Sequence, residues 1–187
     1  MKGIWLDPIP ATLRQMAVES LEAGDWLGFL CTASSEDGLT LVALNLEPLS
    51  TRGIYEPALL HALTATRTNH HHWPMSALRS LLVKADRDRL RSAGARLPGP
   101  GPFTLYRGVA GRGTQRRVRG LSWTASFDRA RYFATRFDSL PEPAVFRAVI
   151  DARDVLAYII DLEEEEFLVW LRHDVNVERV WPEEEAT

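Results

Sequence analysis

The feature that most constrains this chain is the segment Leu97 to Pro102, which contains three prolines and two glycines in six residues. Proline lacks an amide N–H, and neither residue favours the interior of a helix or a strand. Helical patterns dominate the sequence before this segment and short apolar runs dominate after it. We therefore predict a mostly helical lobe over residues 1–97 and a β-rich lobe over residues 98–187. The segment is too short to be a flexible tether, so we expect the lobes to pack as one compact unit.

The N-terminal lobe carries three helical patterns, because its apolar residues recur every three or four positions. These patterns cover Thr12–Ala23, Tyr55–Thr66 and Met75–Ala93. The apolar runs Trp26–Thr32 and Leu39–Leu44 are compatible with either helix or strand, and the Asp-Gly turn between them also allows a hairpin.

The C-terminal lobe contains short apolar runs typical of strands and a single helical pattern over Asp128–Phe137. The predicted strands are Phe103–Arg107, Val118–Thr124, Ala144–Ile150, Val155–Ile160, Phe167–Leu171 and Val175–Val180. Because a run of helices precedes a run of strands, the sequence predicts the α+β class.

Length and composition indicate an ordinary globular chain of 187 residues. The single cysteine, Cys31, excludes an internal disulfide. The N-terminus MKGIWLDPIP does not resemble a signal peptide, and no apolar run is long enough to cross a bilayer. The sequence therefore predicts a cytoplasmic protein.

Charge is unevenly distributed although the net charge is only −3. Five arginines and no acidic residue lie between Arg107 and Arg119, whereas acidic residues dominate from Asp161 onward. Such asymmetry can mark an anion-binding face, and it is equally compatible with charges on solvated faces.

Three adjacent histidines, His70 to His72, raise the possibility of a metal site. Adjacent side chains point in different directions in regular structure, and zinc sites take their ligands from spaced positions. We therefore predict no metal, and a loop lining a ligand cleft is the better functional interpretation of these histidines.

Three short motifs carry the chemistry of the C-terminal lobe. Tyr106-Arg107-Gly108 ends the first predicted strand, Ser122-Trp123-Thr124 ends the second, and four consecutive glutamates, Glu163–Glu166, open another. The downstream pair Ala130 and Phe133 lies on the predicted helix. This order of Arg, Ser and Glu resembles the R-S-E pattern of the mono-ADP-ribosyltransferases, and the resemblance extends from Tyr106 to Trp170.

The resemblance implies a split β core of short strands and an enzyme that uses NAD as its substrate. Such an enzyme breaks the nicotinamide–ribose bond and transfers ADP-ribose to a macromolecular acceptor, here a protein arginine side chain. Breaking that bond leaves an oxocarbenium-like ribose, which a neighbouring carboxylate stabilises, as in glycoside hydrolysis.

The family also implies roles for individual residues. Glu166, which directly precedes an apolar run, matches the catalytic glutamate. Glu164 matches the first glutamate of the Glu-x-Glu motif, which accompanies transfer to arginine, and Ser122 orients Glu166. Because residues two apart on a strand share a face, Glu163 and Glu165 have the same spacing, so the register within the four glutamates stays open.

The predicted NAD contacts follow from the same motifs. An arginine beside a glycine can bind a phosphate with two parallel hydrogen bonds while the glycine admits the ligand to the backbone. The predicted cofactor-binding residues are Arg107, Gly108, Ser122, Trp123, Thr124 and Phe133. Trp123 replaces the central residue of the family's Ser-Thr-Ser strand, and both Trp123 and Phe133 are compatible with core packing.

Two questions stay open: which molecule accepts the ADP-ribose, and whether the protein is catalytic at all. Water as acceptor would give an NAD glycohydrolase, and nucleic acid would use the Arg112–Arg119 stretch against phosphates. A non-catalytic binding module with the same cleft is the alternative from another class. The family suggests a toxin, a phage-encoded modifier of the host or a defence component, and the sequence does not determine the acceptor, the oligomeric state or the role of His70–His72.

Overall fold

The computed structural model describes residues 3–65, 72–161 and 164–183, and the chain divides into two compact units, Met1–Ala93 and Gly94–Thr187. The first unit is helical and the second combines small antiparallel sheets with one α-helix longer than a single turn, which confirms the α+β class. The division falls four residues before the predicted boundary at residue 97. The packing of the two lobes as one body stays a prediction.

Seven helices form the described part of the first unit. They are α1 (Arg14–Glu22), α2 (Trp26–Leu30), α3 (Gly38–Leu44), α4 (Leu46–Thr51), α5 (Tyr55–Thr64), α6 (Met75–Lys84) and α7 (Arg87–Ser92). Helix α5 packs against α2, α3, α4 and α7 and buries most of its residues. The two runs that the sequence left open are the helices α2 and α3, and α4 was not predicted. Within the described residues no helix is long and apolar enough to span a membrane.

The predicted single helix Met75–Ala93 is wrong, because the structure breaks it into α6 and α7. Ala85 is extended, with ψ of 141°, and Asp86 caps α7 by accepting a hydrogen bond from the Arg89 amide at 2.9 Å. The Asp86 amide in turn donates to Oε1 of the buried Glu56 at 3.0 Å. The break leaves the Asp86 amide without a helical acceptor, and the Glu56 side chain, 30 residues away in sequence, supplies one.

We expect Glu56→Ala to lower the free energy of unfolding by about 1–3 kcal/mol, because it leaves the Asp86 amide without its acceptor. Glu56→Gln keeps an acceptor oxygen and should retain most of the stability. Urea denaturation of both variants, with the exposed Glu22→Ala as the control, measures the difference. Equal midpoints for Glu56→Ala and Glu22→Ala would contradict the bridging role of Glu56.

Six strands and one longer helix form the described part of the second unit. They are β1 (Phe103–Val109), β2 (Ser122–Trp123), α8 (Phe127–Thr135), β3 (Ala144–Ile150), β4 (Val155–Asp161), β5 (Glu164–Val169) and β6 (Glu178–Trp181). One antiparallel sheet has the order β1-β3-β6 and the other β2-β5-β4. Of the predicted strand Val118–Thr124, only Ser122 and Trp123 form β2. A turn occupies the residues before them, and in this turn the Gly120 amide donates to the Arg117 carbonyl at 3.1 Å.

The two sheets share one hydrophobic core. Its fully buried members come from both sheets and include Leu105 and Ile150 from the first and Trp123 and Phe167 from the second. The rings of Phe167 and Tyr158 lie 4.7 Å apart at its centre. Helix α8 covers the opposite face of the first sheet, where Ala130 and Ala134 pack on Val145.

Candidate functional site

The two sheets meet where β1 passes β2. The Tyr106 amide donates to the Thr124 carbonyl at 2.7 Å, and the Thr124 amide donates to the Tyr106 carbonyl at 2.9 Å. This two-bond bridge fixes Arg107, the next residue of β1, beside the β2 segment. The sequence predicted that Arg107 ends its strand. In the structure β1 continues to Val109, so Arg107 lies inside the strand.

Ser122 and Glu166 lie on one face of the second sheet. Ser122 is paired with Leu168 across the β2–β5 ladder, and paired residues of antiparallel strands point to the same side. Glu166 precedes Leu168 by two residues and so shares that side. Diagonal neighbours of this kind are about 7–8 Å apart, within reach of a glutamate side chain. The hydrogen bond from Ser122 to the Glu166 carboxylate stays a prediction.

Among the four consecutive glutamates, the structure separates the roles of Glu165 and Glu166. Burial raises the pKa of Tyr158, and a side-chain hydrogen bond with Glu165 acts in the same direction. Glu166 is half-buried and lies on the opposite side of β5. Glu164 is the first residue of β5, but its side chain and the whole of Glu163 lie outside the described residues. The arrangement favours Glu166 over Glu165 as the glutamate facing Ser122.

Arg107 is 5% exposed, although arginine is seldom buried without a partner. Its Nε donates to the Arg117 carbonyl at 2.8 Å and its Nη1 donates to the Ser122 carbonyl. The guanidinium thus ties β1 to the segment that leads into β2. Two of its five N–H donors are engaged in this way, so the predicted double hydrogen bond to an NAD phosphate would have to use the remaining three.

The charge of Arg107 is coupled to Glu166. Burial lowers the pKa of Arg107 to about 10, while the Glu166 carboxylate acts in the opposite direction and favours the cation. Arg107 consequently stays positively charged at neutral pH. A desolvated cation beside Glu166 is the kind of electrostatic environment found at functional sites.

Trp123 is a core residue and not a cofactor contact. It is 1% exposed and packs with Leu105 and Phe167, on the opposite side of β2 from Ser122. Its indole Nε1 donates to the Gly120 carbonyl at 2.9 Å. The sequence prediction that grouped Trp123 with the cofactor-binding residues is therefore corrected, because strand alternation turns its ring into the core.

Gly108 has a packing role that the sequence did not indicate. A Cβ at this position would collide with the Ala130 carbonyl oxygen and would stand 2.7 Å from the Ala134 nitrogen, both in α8. Because Gly108 has no side chain, α8 can pack closely against β1 at this position. The sequence had predicted that the glycine makes room for a ligand instead. Contact of the Gly108 backbone with NAD stays a prediction.

Thr124 and Phe133 have neighbours within the protein. The Thr124 hydroxyl accepts a hydrogen bond from the Ser126 amide at 3.1 Å, and the Ser126 side chain caps α8. Phe133 is half-buried, with the Arg136 guanidinium 5.0 Å from its ring centroid. Contact of either residue with NAD stays a prediction.

The basic stretch after β1 is largely engaged in contacts within the chain. Arg112 Nε lies 2.7 Å from a Glu142 carboxylate oxygen, and Arg116 donates to the Glu142 carbonyl. Arg119 donates to main-chain carbonyls of Arg172 and Val175. These contacts join neighbouring loops, although the Arg112 side chain is still 75% exposed.

A groove of about 410 Å³ is lined by residues of β1, β3 and β6 and by the loop before β6. Its lining includes two arginines, each beside a carboxylate. Arg147 is 2.6 Å from Glu178, and Arg172 is 3.3 Å from Asp174. Because each cation has a carboxylate beside it, the groove offers no excess of either charge.

No group of three or more His, Cys, Asp or Glu side chains converges within the described ranges. His72 belongs to the described part, whereas His70 and His71 lie outside it. A role for these histidines in a ligand cleft stays a prediction.

Comparison of the chain with protein-family models, with curated proteins and with solved structures gives no match. Any functional assignment therefore depends on the site itself.

Sequence reasoning missed two contributors to the environment of Arg107, namely Gly120 and the main-chain carbonyl of Arg117. Every residue has a main-chain carbonyl, so the sequence cannot indicate which carbonyl binds Arg107. Gly120, two residues before Ser122, was the signal that could have been found, because an isolated glycine next to a strand often marks close approach of another group.

We expect Arg107→Lys to lower the free energy of unfolding by about 1.5–3 kcal/mol, because an ammonium cannot replace two separate guanidinium nitrogens bound to two carbonyls. Chemical denaturation of the purified variant measures the loss. Arg153→Lys is the matched control, since that side chain is 71% exposed and should change little. Equal stability of the two variants would show that the carbonyl contacts of Arg107 contribute nothing.

Proposed function

We propose that this chain is an NAD-dependent mono-ADP-ribosyltransferase with an ADP-ribosyltransferase-like split β core. One observation carries the proposal: Arg107 on β1, Ser122 on β2 and Glu166 on β5 occupy adjoining strands, and the buried cation of Arg107 is electrostatically coupled to Glu166. The three motifs are separated by up to 59 positions in sequence, from residue 107 to residue 166. Their juxtaposition is what the R-S-E resemblance requires.

The fit of NAD to this site is supported by the chemistry of its donors. Glu166 is half-buried, and its carboxylate favours the charged form of Arg107 by raising the pKa of that guanidinium. An ionised carboxylate stabilises the positive ribose that forms in the transition state. Ser122, which lies on the same face of the sheet, is the residue that we propose orients that carboxylate.

The proposed reaction breaks the bond between ribose C1′ and the nicotinamide nitrogen. The bonding electron pair leaves with nicotinamide, which becomes neutral, and the positive charge stays on the ribose, where Glu166 stabilises it. The acceptor's lone pair then forms a bond to C1′, and the acceptor loses a proton, for which Glu164 is the proposed base.

We expect Glu166→Gln to lower nicotinamide release from NAD by at least about 100-fold while NAD binding changes little, because only the transition state carries the charge. Release is measured on the purified protein with NAD alone and with a cell lysate as the source of acceptors. Glu165→Gln is the control, since Glu165 bonds to Tyr158 on the other side of the strand, and it should retain activity. Full activity of Glu166→Gln would overturn the assignment of the catalytic residue.

Glu164→Gln should separate transfer from cleavage. If Glu164 serves the acceptor, this variant keeps nicotinamide release to water and loses at least about 10-fold in ADP-ribose transfer to an arginine derivative such as agmatine. Labelled NAD measures transfer and released nicotinamide measures cleavage in the same reaction. Equal losses in both would assign Glu164 to the cleavage step.

Protein is the acceptor that we propose, and the structure gives no support to nucleic acid through the Arg112–Arg119 stretch, since Glu142 and main-chain carbonyls engage Arg112, Arg116 and Arg119. Cleavage without transfer to any macromolecule would identify an NAD glycohydrolase. Absence of turnover with every acceptor, in a folded protein, would favour a non-catalytic binding module.

A further inference from the structure

We propose that Gly120 is a positioning residue, because the space it leaves lets the Arg107 guanidinium bind the Ser122 carbonyl. Its catalytic consequence depends on the function proposed above, whereas its effect on Arg107 does not. The proposal begins with the space that Gly120 leaves empty. A Cβ built on Gly120 would stand 2.6 Å from Arg107 Cζ and 2.9 Å from Nε, and closer still to Nη2. The flat guanidinium thus lies directly on the backbone of Gly120.

The Gly120 backbone is itself held on both sides. Its amide donates to the Arg117 carbonyl at 3.1 Å, and its carbonyl accepts the Trp123 indole N–H at 2.9 Å. The next carbonyl, that of Leu121, accepts the Val169 amide at 2.7 Å, which joins the segment to β5. The surface under the guanidinium is therefore fixed to the same strand that carries Glu166.

The guanidinium is enclosed on three sides by this segment. The Arg117 carbonyl binds Nε, the Ser122 carbonyl binds Nη1, and the Gly120 backbone lies against the plane between them. All three residues lie within the six positions 117–122 of the connection between β1 and β2. Trp123, which replaces the central residue of the motif's strand, supplies the hydrogen bond that fixes the turn.

A methyl group at residue 120 should displace the guanidinium without unfolding the protein. The colliding atoms are the far end of a flexible side chain, which moves more easily than packed backbone. Movement breaks the hydrogen bond to the Ser122 carbonyl and carries the charge away from Glu166. Because misplacement of a charged group by about 1 Å can cost about 100-fold in rate, the effect should fall on kcat.

The test compares Gly120→Ala with Gly99→Ala, since a Cβ at Gly99 meets no atom within 4 Å. The first readout is the Arg107 Nε–H signal in a ¹⁵N NMR spectrum, assigned by its loss in Arg107→Lys. We expect Gly120→Ala to shift this signal and increase its exchange with water, and Gly99→Ala to leave it unchanged. Trp123→Phe keeps a ring in the core but removes the bond to the Gly120 carbonyl, so it should shift the signal in a milder way.

The second readout is nicotinamide release. We expect Gly120→Ala to lower kcat about 10- to 100-fold and to raise KM, because Arg107 is also a predicted NAD contact, with a change in melting temperature of no more than about 4 °C. An unshifted Arg107 signal, or a shifted signal with unchanged kcat in an active protein, would overturn the proposal. If the wild-type chain cleaves no NAD with any acceptor, the proposed function fails, and the NMR signal alone decides whether Gly120 positions Arg107.

Discussion

The second unit depends on how it accommodates one buried cation. Arg107 is almost fully removed from water. A buried cation destabilises a fold unless acceptors bind its N–H groups and an opposite charge balances its own. Main-chain carbonyls of Arg117 and Ser122 accept its hydrogen bonds, and Glu166 supplies the opposite charge. The guanidinium therefore joins β1 to the connection that leads into β2, and the Leu121 carbonyl of that connection accepts the Val169 amide of β5.

This requirement explains residues that otherwise look unremarkable. Gly120 leaves room for the guanidinium, and Gly108, the next residue of β1, leaves room for α8. Trp123 has a ring in the core and an indole N–H on the Gly120 carbonyl, so one side chain links the hydrophobic core to the site. The site and the core thus share the Trp123 side chain.

The sequence predicted some elements closely because their patterns are local. Ala144–Ile150 is a strand with the predicted bounds, and the helix Tyr55–Thr64 begins at the predicted residue. The break between α6 and α7 escaped prediction, since the Asp86 amide is paired with Glu56, a residue 30 positions earlier that no local pattern relates to it. Likewise, Val118–Thr124 has the composition of a strand, but the turn around Gly120 limits β2 to two residues.

By itself the sequence determined the α+β class, the order of helices before strands and the three motifs that resemble the R-S-E pattern, because periodicity and motif order are properties of neighbouring residues. Only the tertiary structure decided which way each side chain faces. It placed Ser122 and Glu166 on one side of a sheet, turned Trp123 and Glu165 to the other, and buried Arg107 between carbonyls. The physical reason is that strand register and burial depend on contacts between residues far apart in the chain, which no local pattern records.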